Sequence, residues 1–510
     1  MKNTKTGPVF YITIGILILA VILGVIAPHV LEAGTAAAQA FISERFGWYY
    51  LIIVSLFVIV CLYIIVSPYG RIKLGKPDDK PEYNLATWFA MLFSAGMGIG
   101  LVFWGAAEPV YHYATNSPTV EAGTDEAIKE AMRFTFFHWG VHAWGIYTII
   151  ALCLAYFKFR REARGTVSST LNTLMKTDGV LGKIIDIIAV TATVSGVATT
   201  LGFGAVQING GLSFMTDLES GFWIQFIIIA VVTFLFLLSA STGLNKGIRI
   251  LSNTNMVIAA LLFVCILIFG PTLYMLNLFT NTIGKYIQTL PAMSFRIAPL
   301  TEESRDWINN WTIFYWAWWI AWSPFVGTFI ARVSKGRTLR QFTSGVLLVP
   351  SLVSFLWFSV FGGASILLES EGIAAISELA EEEALFGVFE HYPLGLVMSI
   401  LAIGLISTFF ITSADSATFV LGMQTSNGSM NPATKVKFIW GIMLSATAVI
   451  LLYSGGLQAL ENTMIVAAFP FSFIMILMII ALFKALKQEK PALQAEKEAR
   501  KAKRNKEVNV

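Results

Sequence analysis

Twelve long apolar stretches dominate this sequence and limit what the chain can fold into. Each is long enough to cross about 30 Å of hydrocarbon as a helix. The chain has 510 residues, of which 56% are hydrophobic and 13% are charged, so most of its apolar surface must face lipid. The sequence therefore predicts an all-α membrane protein with twelve transmembrane helices. The predicted spans are 8–30, 47–67, 86–109, 130–157, 180–209, 221–240, 254–278, 308–331, 343–367, 393–422, 434–454 and 461–485.

The basic residues set the predicted orientation, because short loops that carry Lys and Arg stay in the cytoplasm. With the N-terminus inside, most of the 35 Lys and Arg fall in cytoplasmic loops and the acidic run 375–390 falls outside. Both termini are thus predicted to be cytoplasmic. No small-residue cleavage site follows the first apolar run, so we expect a retained span and not a signal peptide.

The C-terminal tail, residues 487–510, is rich in Lys and Arg. This composition is typical of a solvated cytoplasmic flank, and it also suits docking on anionic membrane lipid. Both interpretations stay open.

The sequence offers little for catalysis or metal binding. Cys61, Cys153 and Cys265 all lie in apolar spans, where cysteine behaves as a small hydrophobe. His138 and His142 have i, i+4 spacing, but the Glu of a zinc-binding HExxH motif is absent and no third ligand is evident. We expect a packed or hydrogen-bonded histidine pair, with no metal and no cofactor.

The sequence also lacks the phosphate-binding loop GxxxxGK[ST] and a visible nucleophile and base pair. We therefore expect neither an enzyme nor nucleotide-driven transport, and we expect no nucleic-acid partner. An ion gradient is the energy source that remains.

Glycines interrupt the third predicted span in the run FSAGMGIGLVFWG, residues 93–105. Gly96, Gly98 and Gly100 are spaced by two, whereas glycines that allow close helix packing are spaced by four. Each glycine also costs roughly 1 kcal/mol against alanine in a helix. The spacing favours an unwound segment, which transporters use to expose backbone groups to a substrate. Helix packing remains the alternative.

Aromatic residues gather near the centres of the fourth and eighth spans, in FHWGVHAWGIY (137–147) and WTIFYWAWWIAWSPF (311–325). Aromatic belts of membrane proteins lie at the two interfaces and not at this depth. Core packing explains some of these rings. Together they suggest a box of ring faces that binds a quaternary ammonium group, at about 0.5 to 2 kcal/mol per ring.

The tenth span carries polar groups at the membrane midplane in FFITSADSAT (409–418). Thr412, Ser413 and Ser416 offer hydroxyl oxygens, and Asp415 is an ionisable group in lipid, which indicates function by default. Such oxygens suit a hard monovalent cation. The alternative is that the hydroxyls bind their own helix.

The motifs AGMGIGLVFWGAAEP, FHWGVHAWGIY, WAWWIAWSPF and FFITSADS, in this order, resemble those of the betaine/carnitine/choline transporter family. Within that family the chain is most similar to glycine betaine carriers of Gram-positive bacteria. The resemblance implies a LeuT-like fold in a bacterial plasma membrane, with two inverted five-helix repeats, spans three to seven and eight to twelve, after two extra helices. It also implies a division into residues 1–80, 81–280, 281–486 and 487–510, and a homotrimer. In the second repeat, Pro324 of span eight would correspond to the broken segment of span three in the first.

The resemblance also implies a set of binding residues. The aromatic cage and gate would be Trp139, Trp144, Tyr147, Trp318, Trp319 and Trp322. The unwound segment would contribute Gly96, Met97, Gly98, Ile99 and Gly100. A first sodium ion would bind backbone oxygens of Ser94, Met97 and Phe409 and the hydroxyls of Thr412 and Ser413.

A second sodium ion in some family members uses two threonines one turn apart in span five and a phenylalanine of span eight. Thr193 and Phe325 match this pattern, but Val197 stands where the second threonine is expected. Sodium-independent members replace an ion with a basic side chain, and span five has no Lys or Arg after Lys183. The resemblance thus implies a sodium-coupled betaine symporter that serves osmoprotection. A choline or carnitine carrier is the first alternative, and a cation or mechanosensitive channel is the second.

Overall fold

The computed structural model describes residues 6–96, 98–216, 218–242 and 245–491, and its regular elements are helices. The side chains of residues 93–96, 241–242 and 245–249 lie outside this description. The helices are α1 (Pro8–Ile26), α2 (Pro28–Val66), α3 (Leu85–Gly96), α4 (Ile99–Ala114), α5 (Asp125–Trp139), α6 (Val141–Ala155), α7 (Val180–Met215), α8 (Phe222–Thr242), α9 (Asn245–Phe269), α10 (Thr272–Ser294), α11 (Glu302–Trp307), α12 (Phe314–Arg332), α13 (Leu339–Ser370), α14 (Ala384–Glu390), α15 (Gly395–Thr425) and α16 (Thr434–Lys487).

All twelve predicted spans fall on these helices. Nine helical stretches in the described ranges are long and apolar enough to cross a membrane: α1, α2, α5 with α6, α7, α8, α9, α13, α15 and α16. The other three spans are the broken pair α3 and α4, the tryptophan-rich α12, and the second half of α16. The prediction of an all-α, multi-pass membrane protein is confirmed.

The centre of the molecule is formed by α4, α6, α7, α12 and α13. In the centre, α12 packs against α6, α7 and α16, and α4 packs against α5, α7 and α13. The outer helices α8 and α9 instead expose large apolar side chains, such as Trp223, Phe234 and Ile268. An apolar surface of this extent suits contact with lipid tails.

Glycine marks three of the helix interruptions. Gly98 precedes the start of α4 at Ile99, and Gly140 separates α5 from α6. Within α16 the chain turns at Gly455 and Gly456, where Gly456 has φ 63°. Such a φ is costly for residues with a side chain, and the turn confirms the predicted gap between the last two spans.

Two predicted span ends are wrong, for the same reason. Span one was expected to reach residue 30, but α1 ends at Ile26, shortly before Pro28. Span seven was expected to reach residue 278, but α9 ends at Phe269, before Gly270 and Pro271. Proline has no N–H and disfavours helical geometry in the residue before it. The predicted division at residues 280 and 281 falls inside α10.

Pro324 does not interrupt its helix, because α12 continues through this residue. Proline cannot donate to the carbonyl four residues earlier, here that of Ile320. The Ser323 hydroxyl donates to this carbonyl instead, at 2.8 Å. A side chain thus satisfies the backbone group that the proline leaves free.

Candidate functional site

The chain leaves helical geometry between α3 and α4, at the predicted glycine run. α3 ends at Gly96 and α4 begins at Ile99, and Gly98 has φ −153° and ψ −148°. Met97 lies outside the described residues. The predicted interruption of span three is confirmed.

The residues at the start of α4 line a small cavity. N–H groups at a helix start have no carbonyl one turn earlier to bind. The Leu101 N–H binds the Gly98 carbonyl at 3.2 Å, and Gly98, Ile99 and Gly100 line the cavity. A helix start of this kind favours an anionic group.

Four tryptophans of α5 and α12 also line this cavity, and we call them the aromatic box: Trp139, Trp318, Trp319 and Trp322. The rings of Trp318 and Trp319 are nearly parallel, with centroids 5.5 Å apart and planes at 7°. The Trp139 ring meets the Trp319 ring edge to face at 5.0 Å. The structure therefore brings together predicted residues from spans three, four and eight.

The indole N–H groups of the aromatic box all bind protein acceptors. Trp322 donates to the Gly196 carbonyl at 2.8 Å, and Trp318 donates to the Thr200 hydroxyl at 3.3 Å. Trp319 donates to the His138 carbonyl at 3.0 Å, and Trp139 donates to the Glu108 carboxylate at 2.7 Å. Because the polar edge of each ring is occupied, ring carbon is left to line the cavity, as cation–π binding requires.

Gly100 allows the rings to approach the backbone of α4. A Cβ atom at this position would lie 2.6 Å from Cη2 of Trp318 and 3.4 Å from Cη2 of Trp139. The first distance is too short for carbon atoms in contact. Glycine at position 100 is therefore what brings the amide groups and the aromatic box into one cavity.

Trp144 and Tyr147 lie outside the lining of this cavity. Gly140 breaks the span between Trp139 and Trp144, an interruption that the sequence analysis did not predict. The Tyr147 ring contacts Trp319 at 5.7 Å, and the Trp144 ring contacts Tyr147 at 5.5 Å. These two residues form the layer behind the aromatic box, and their role in a gate stays a prediction.

The aromatic box is narrow, and a wider cavity lies beyond it. The box cavity has an empty volume of about 270 Å³, little of which is open to water. A second cavity, which together with the adjoining solvent occupies about 1260 Å³, includes Phe325, Arg332, Asp415 and Lys437 in its wall. The Phe325 ring contacts Trp322 of the box at 5.4 Å. This ring pair therefore stands between the two cavities.

The residues predicted for the first sodium ion are only partly described. The side chain of Ser94 and all of Met97 lie outside the described residues. The Thr412 hydroxyl donates to the carbonyls of its own helix at Thr408 (2.9 Å) and Phe409 (3.2 Å), and Ser413 is partly buried on the same helix. Asn255 of α9 donates to the Thr412 oxygen at 3.3 Å. The assignment of this ion stays a prediction.

The second predicted sodium site has fewer oxygen atoms than its pattern requires. Thr193 is buried and donates to the Ala189 carbonyl at 2.8 Å, within α7. Val197 is buried one turn later and provides no side-chain oxygen. Phe325 lies at the wall of the wider cavity. This site also stays a prediction.

Two residues beside the aromatic box were missed in the sequence. Glu108 of α4 is fully buried, and its carboxylate accepts hydrogen bonds from Trp139 and from the Tyr315 hydroxyl, the latter at 2.5 Å. Glu108 stands inside a predicted span, and an ionisable residue at such a place indicates function by default. That signal would have found Glu108; no comparable signal distinguishes Tyr315 among its aromatic neighbours.

Comparisons with known proteins agree with the resemblance. A model of the betaine/carnitine/choline family transporters matches residues 8–491. The glycine betaine transporter OpuD of Bacillus subtilis is 59% identical over 94% of each chain. An ectoine/hydroxyectoine transporter of Virgibacillus pantothenticus is 42% identical over 98% of this chain and 100% of its own length. A probable glycine betaine transporter of Desulfitobacterium hafniense is 43% identical over 96% of this chain and 99% of its own.

Proposed function

Because the chain belongs to the betaine/carnitine/choline family of transporters, we propose that it is a symporter that couples glycine betaine uptake to sodium. The chain is a multi-pass membrane transporter and not an enzyme. The named relatives support betaine or a similar compatible solute as the transported molecule. Sodium coupling, osmoprotection, a bacterial plasma membrane location and cytoplasmic termini are parts of the proposal.

One observation carries the choice of substrate: the aromatic box and the start of α4 line the same cavity. Glycine betaine has a trimethylammonium group, which offers no hydrogen-bond donor and binds ring faces. Its other end is a carboxylate, which suits the amide groups at a helix start. The cavity thus offers a matching surface for each end of the molecule.

The proposed coupling follows from the charge of the substrate. Glycine betaine has no net charge, so the membrane potential acts only on the ions that move with it. One sodium ion that crosses about 100 mV supplies roughly 2.3 kcal/mol. At about 1.4 kcal/mol per decade this free energy supports roughly fifty-fold accumulation. Accumulation of that size is useful to a cell under osmotic stress.

We propose an ordered cycle. Sodium binds first, between the end of α3 and α15, and the trimethylammonium group then enters the aromatic box. Because so little of the box cavity admits even a water molecule, the rings or the glycine turn must move to admit the substrate. Release follows through the Trp322 and Phe325 pair into the wider cavity, as the helices of spans three, four, eight and nine rock against the rest.

Choline, carnitine and ectoine are the competing substrates. Choline and carnitine share the trimethylammonium group, and an ectoine transporter is among the relatives. Gly100 favours betaine over choline, because a glycine adds no negative charge where betaine has its carboxylate. A channel is less well supported, since we find no ring of charged side chains around a pore in the described residues.

The test is uptake of labelled glycine betaine into proteoliposomes with an inward sodium gradient, in competition with unlabelled choline, carnitine and ectoine. We expect accumulation above the external concentration, strongest inhibition by unlabelled betaine, and loss of accumulation when potassium replaces sodium. Uptake that only equilibrates would indicate a channel or a uniporter. Stronger inhibition by choline, carnitine or ectoine than by betaine would contradict the proposed substrate.

A further inference from the structure

We propose that Glu108 is a positioning residue for the aromatic box, which it holds in place while supplying a fixed negative charge behind the rings. The inference rests on the proposed function, in which a cationic group binds in the box. It concerns a side chain that does not line the cavity.

The Glu108 carboxylate has a complete set of hydrogen-bond partners. One oxygen accepts from Nε1 of Trp139 at 2.7 Å and from the Tyr315 hydroxyl at 2.5 Å. The other oxygen lies 2.7 Å from Nδ1 of His138, whose Nε2 lies 3.0 Å from the Thr312 hydroxyl. A neutral His138 with its proton on Nδ1 satisfies every contact, because an ionised carboxylate is an acceptor only.

This network reaches three of the four rings of the aromatic box. Trp139 is bound to Glu108 directly. The Tyr315 ring lies nearly parallel to those of Trp318 and Trp319, with centroids 6.1 and 6.2 Å away. The backbone carbonyl of His138 accepts the N–H of Trp319 at 3.0 Å. Rotation of Glu108 would therefore release Trp139 and disturb the support of the stacked pair.

In its ionised form Glu108 would carry a negative charge that no Lys or Arg in ion-pair contact cancels, as far as the described residues show. Arg296 belongs to the same region, but its guanidinium lies over the Trp307 ring at 5.2 Å, and this ring stacks on His138 at 5.7 Å. Two rings thus separate Arg296 from Glu108. A buried negative charge acts strongly on a nearby cation because little water screens it. The trimethylammonium group is the cation that the proposed function places next to it.

A metal site is the competing interpretation. One ligand atom each from Glu108, His112 and His138 lie within 4.8 Å of one another, and Nε2 of His112 is 3.5 Å from the carboxylate. A metal ion held by these three residues would have to replace the contact between Nδ1 of His138 and its carboxylate oxygen, while Trp139 and Tyr315 bind the other oxygen. We therefore favour the hydrogen-bonded network. One equivalent of metal in the purified, active protein would overturn this choice.

The central test is Glu108→Gln in the full-length protein, which keeps the shape of the side chain and removes its charge. The new amide group places N–H donors against the donors of Trp139, Tyr315 or His138. We expect the Kd of glycine betaine at saturating sodium to rise by at least about tenfold. Asp186→Asn is the matched control: it neutralises a carboxylate that binds Ser168 in the loop before α7, and it should leave this Kd unchanged.

A neutral-headed analogue separates the effect of charge from a general loss of structure. 3,3-Dimethylbutanoate has the shape of glycine betaine, with carbon in place of the positive nitrogen. Its affinity relative to betaine should rise in Glu108→Gln, because only betaine loses an attraction. If wild type binds betaine but Glu108→Gln leaves its Kd unchanged, or weakens both compounds by the same factor, the inference is wrong.

Tyr315→Phe covers the case in which Glu108→Gln does not fold. It removes one donor to the carboxylate and keeps both the ring and the charge. We expect weaker betaine binding with an unchanged ratio between betaine and its analogue, and an unchanged Kd would overturn the positioning role. A wild-type protein that binds no betaine would instead contradict the proposed function.

Discussion

Trp319 shows how the aromatic box is built, because its ring contacts four other aromatic rings. Its ring stacks on Trp318 and meets Trp139 and Tyr147 edge to face, while its N–H is held by the His138 carbonyl. The neighbouring rings and this hydrogen bond thus hold the Trp319 side chain in one orientation. A ring held in this way loses little conformational entropy when a cation binds to it.

Trp319→Ala should therefore weaken betaine binding by about 1 to 2 kcal/mol, or roughly five- to thirty-fold in Kd. Trp319→Phe should have a smaller effect, because a ring remains. The measurement is betaine binding to purified protein. Trp223→Ala is the control, since this tryptophan of α8 is 71% exposed. Wild-type affinity in a folded Trp319→Ala protein would show that the ring only packs.

Gly100 tests the choice between betaine and choline. Any side chain here must displace Trp318, so both Gly100→Ala and Gly100→Asp should lower betaine uptake. Only the aspartate also repels the carboxylate of betaine and balances the charge of choline. We expect choline uptake in Gly100→Asp but not in Gly100→Ala, measured with labelled choline. Equal choline uptake by the two variants would exclude an effect of the aspartate charge. A wild-type protein that prefers choline to betaine would contradict the proposed substrate.

The sequence revealed the tryptophans of the box because rings at mid-span are conspicuous in apolar helices. It did not reveal the Glu108 network, although Glu108 was visible as a carboxylate within a span. The hydrogen bond from Tyr315 to Glu108 joins residues 207 positions apart in the chain. No periodicity within one helix encodes a contact between α4 and α12, so only the tertiary structure shows it.

At the scale of helices, the interruptions determine which backbone groups reach the site. The break between α3 and α4 was predictable because three glycines at alternate positions do not fit a packed helix. Gly140 gave no such signal, since a glycine without another glycine two or four residues away is common in a span. Pro324 leaves α12 unbroken, because the Ser323 hydroxyl replaces the missing backbone donor.

The helix α15 carries the prediction on sodium. Thr412→Ala combined with Ser413→Ala should raise the sodium concentration for half-maximal uptake more than the betaine concentration, because two hydroxyl ligands are lost. Uptake titrated with each solute gives both values. Thr408→Ala, one turn earlier on the same helix, removes a hydroxyl that binds the Gly404 carbonyl at 2.8 Å and serves as the control. An unchanged sodium requirement in the double variant would exclude these hydroxyls as ligands.

For the whole molecule, the sequence predicted an all-helical, multi-pass membrane protein, since each long apolar stretch has to cross the hydrocarbon layer. The inverted repeats, the trimer and docking of the basic tail on anionic lipid stay predictions. The tail beyond residue 491 lies outside the described residues, although its base is held by Arg160, which donates to Glu489 at 2.7 Å. Such features depend on surfaces between elements or between chains, which span patterns do not specify.

Glu381, in the loop before α14, should make the stability of the protein depend on pH. Burial and the neighbouring Glu382 carboxylate raise the pKa of Glu381 to about 7, from an ordinary value of 4.5. The folded protein thus holds a proton that the unfolded chain releases, so its stability falls as pH rises from about 4.5 to about 7.

Glu381→Gln should therefore melt at a higher temperature than wild type at pH 8, where wild type carries the buried charge. The two proteins should differ little at pH 5, where Glu381 is protonated. Thermal unfolding of purified protein at both pH values measures this. The exposed Glu378→Gln in the same loop is the control. A difference of the same size at both pH values would rule out titration of Glu381 as the cause.

The central claim is that sodium and betaine cross the membrane together, and the electric current evoked by betaine tests it most directly. Glycine betaine has no net charge, so any current that it evokes in proteoliposomes must be carried by another ion. We predict an inward positive current that needs both betaine and sodium. In Trp319→Ala this current should need higher betaine concentrations. Betaine uptake without current, or a sodium current without betaine, would contradict the account.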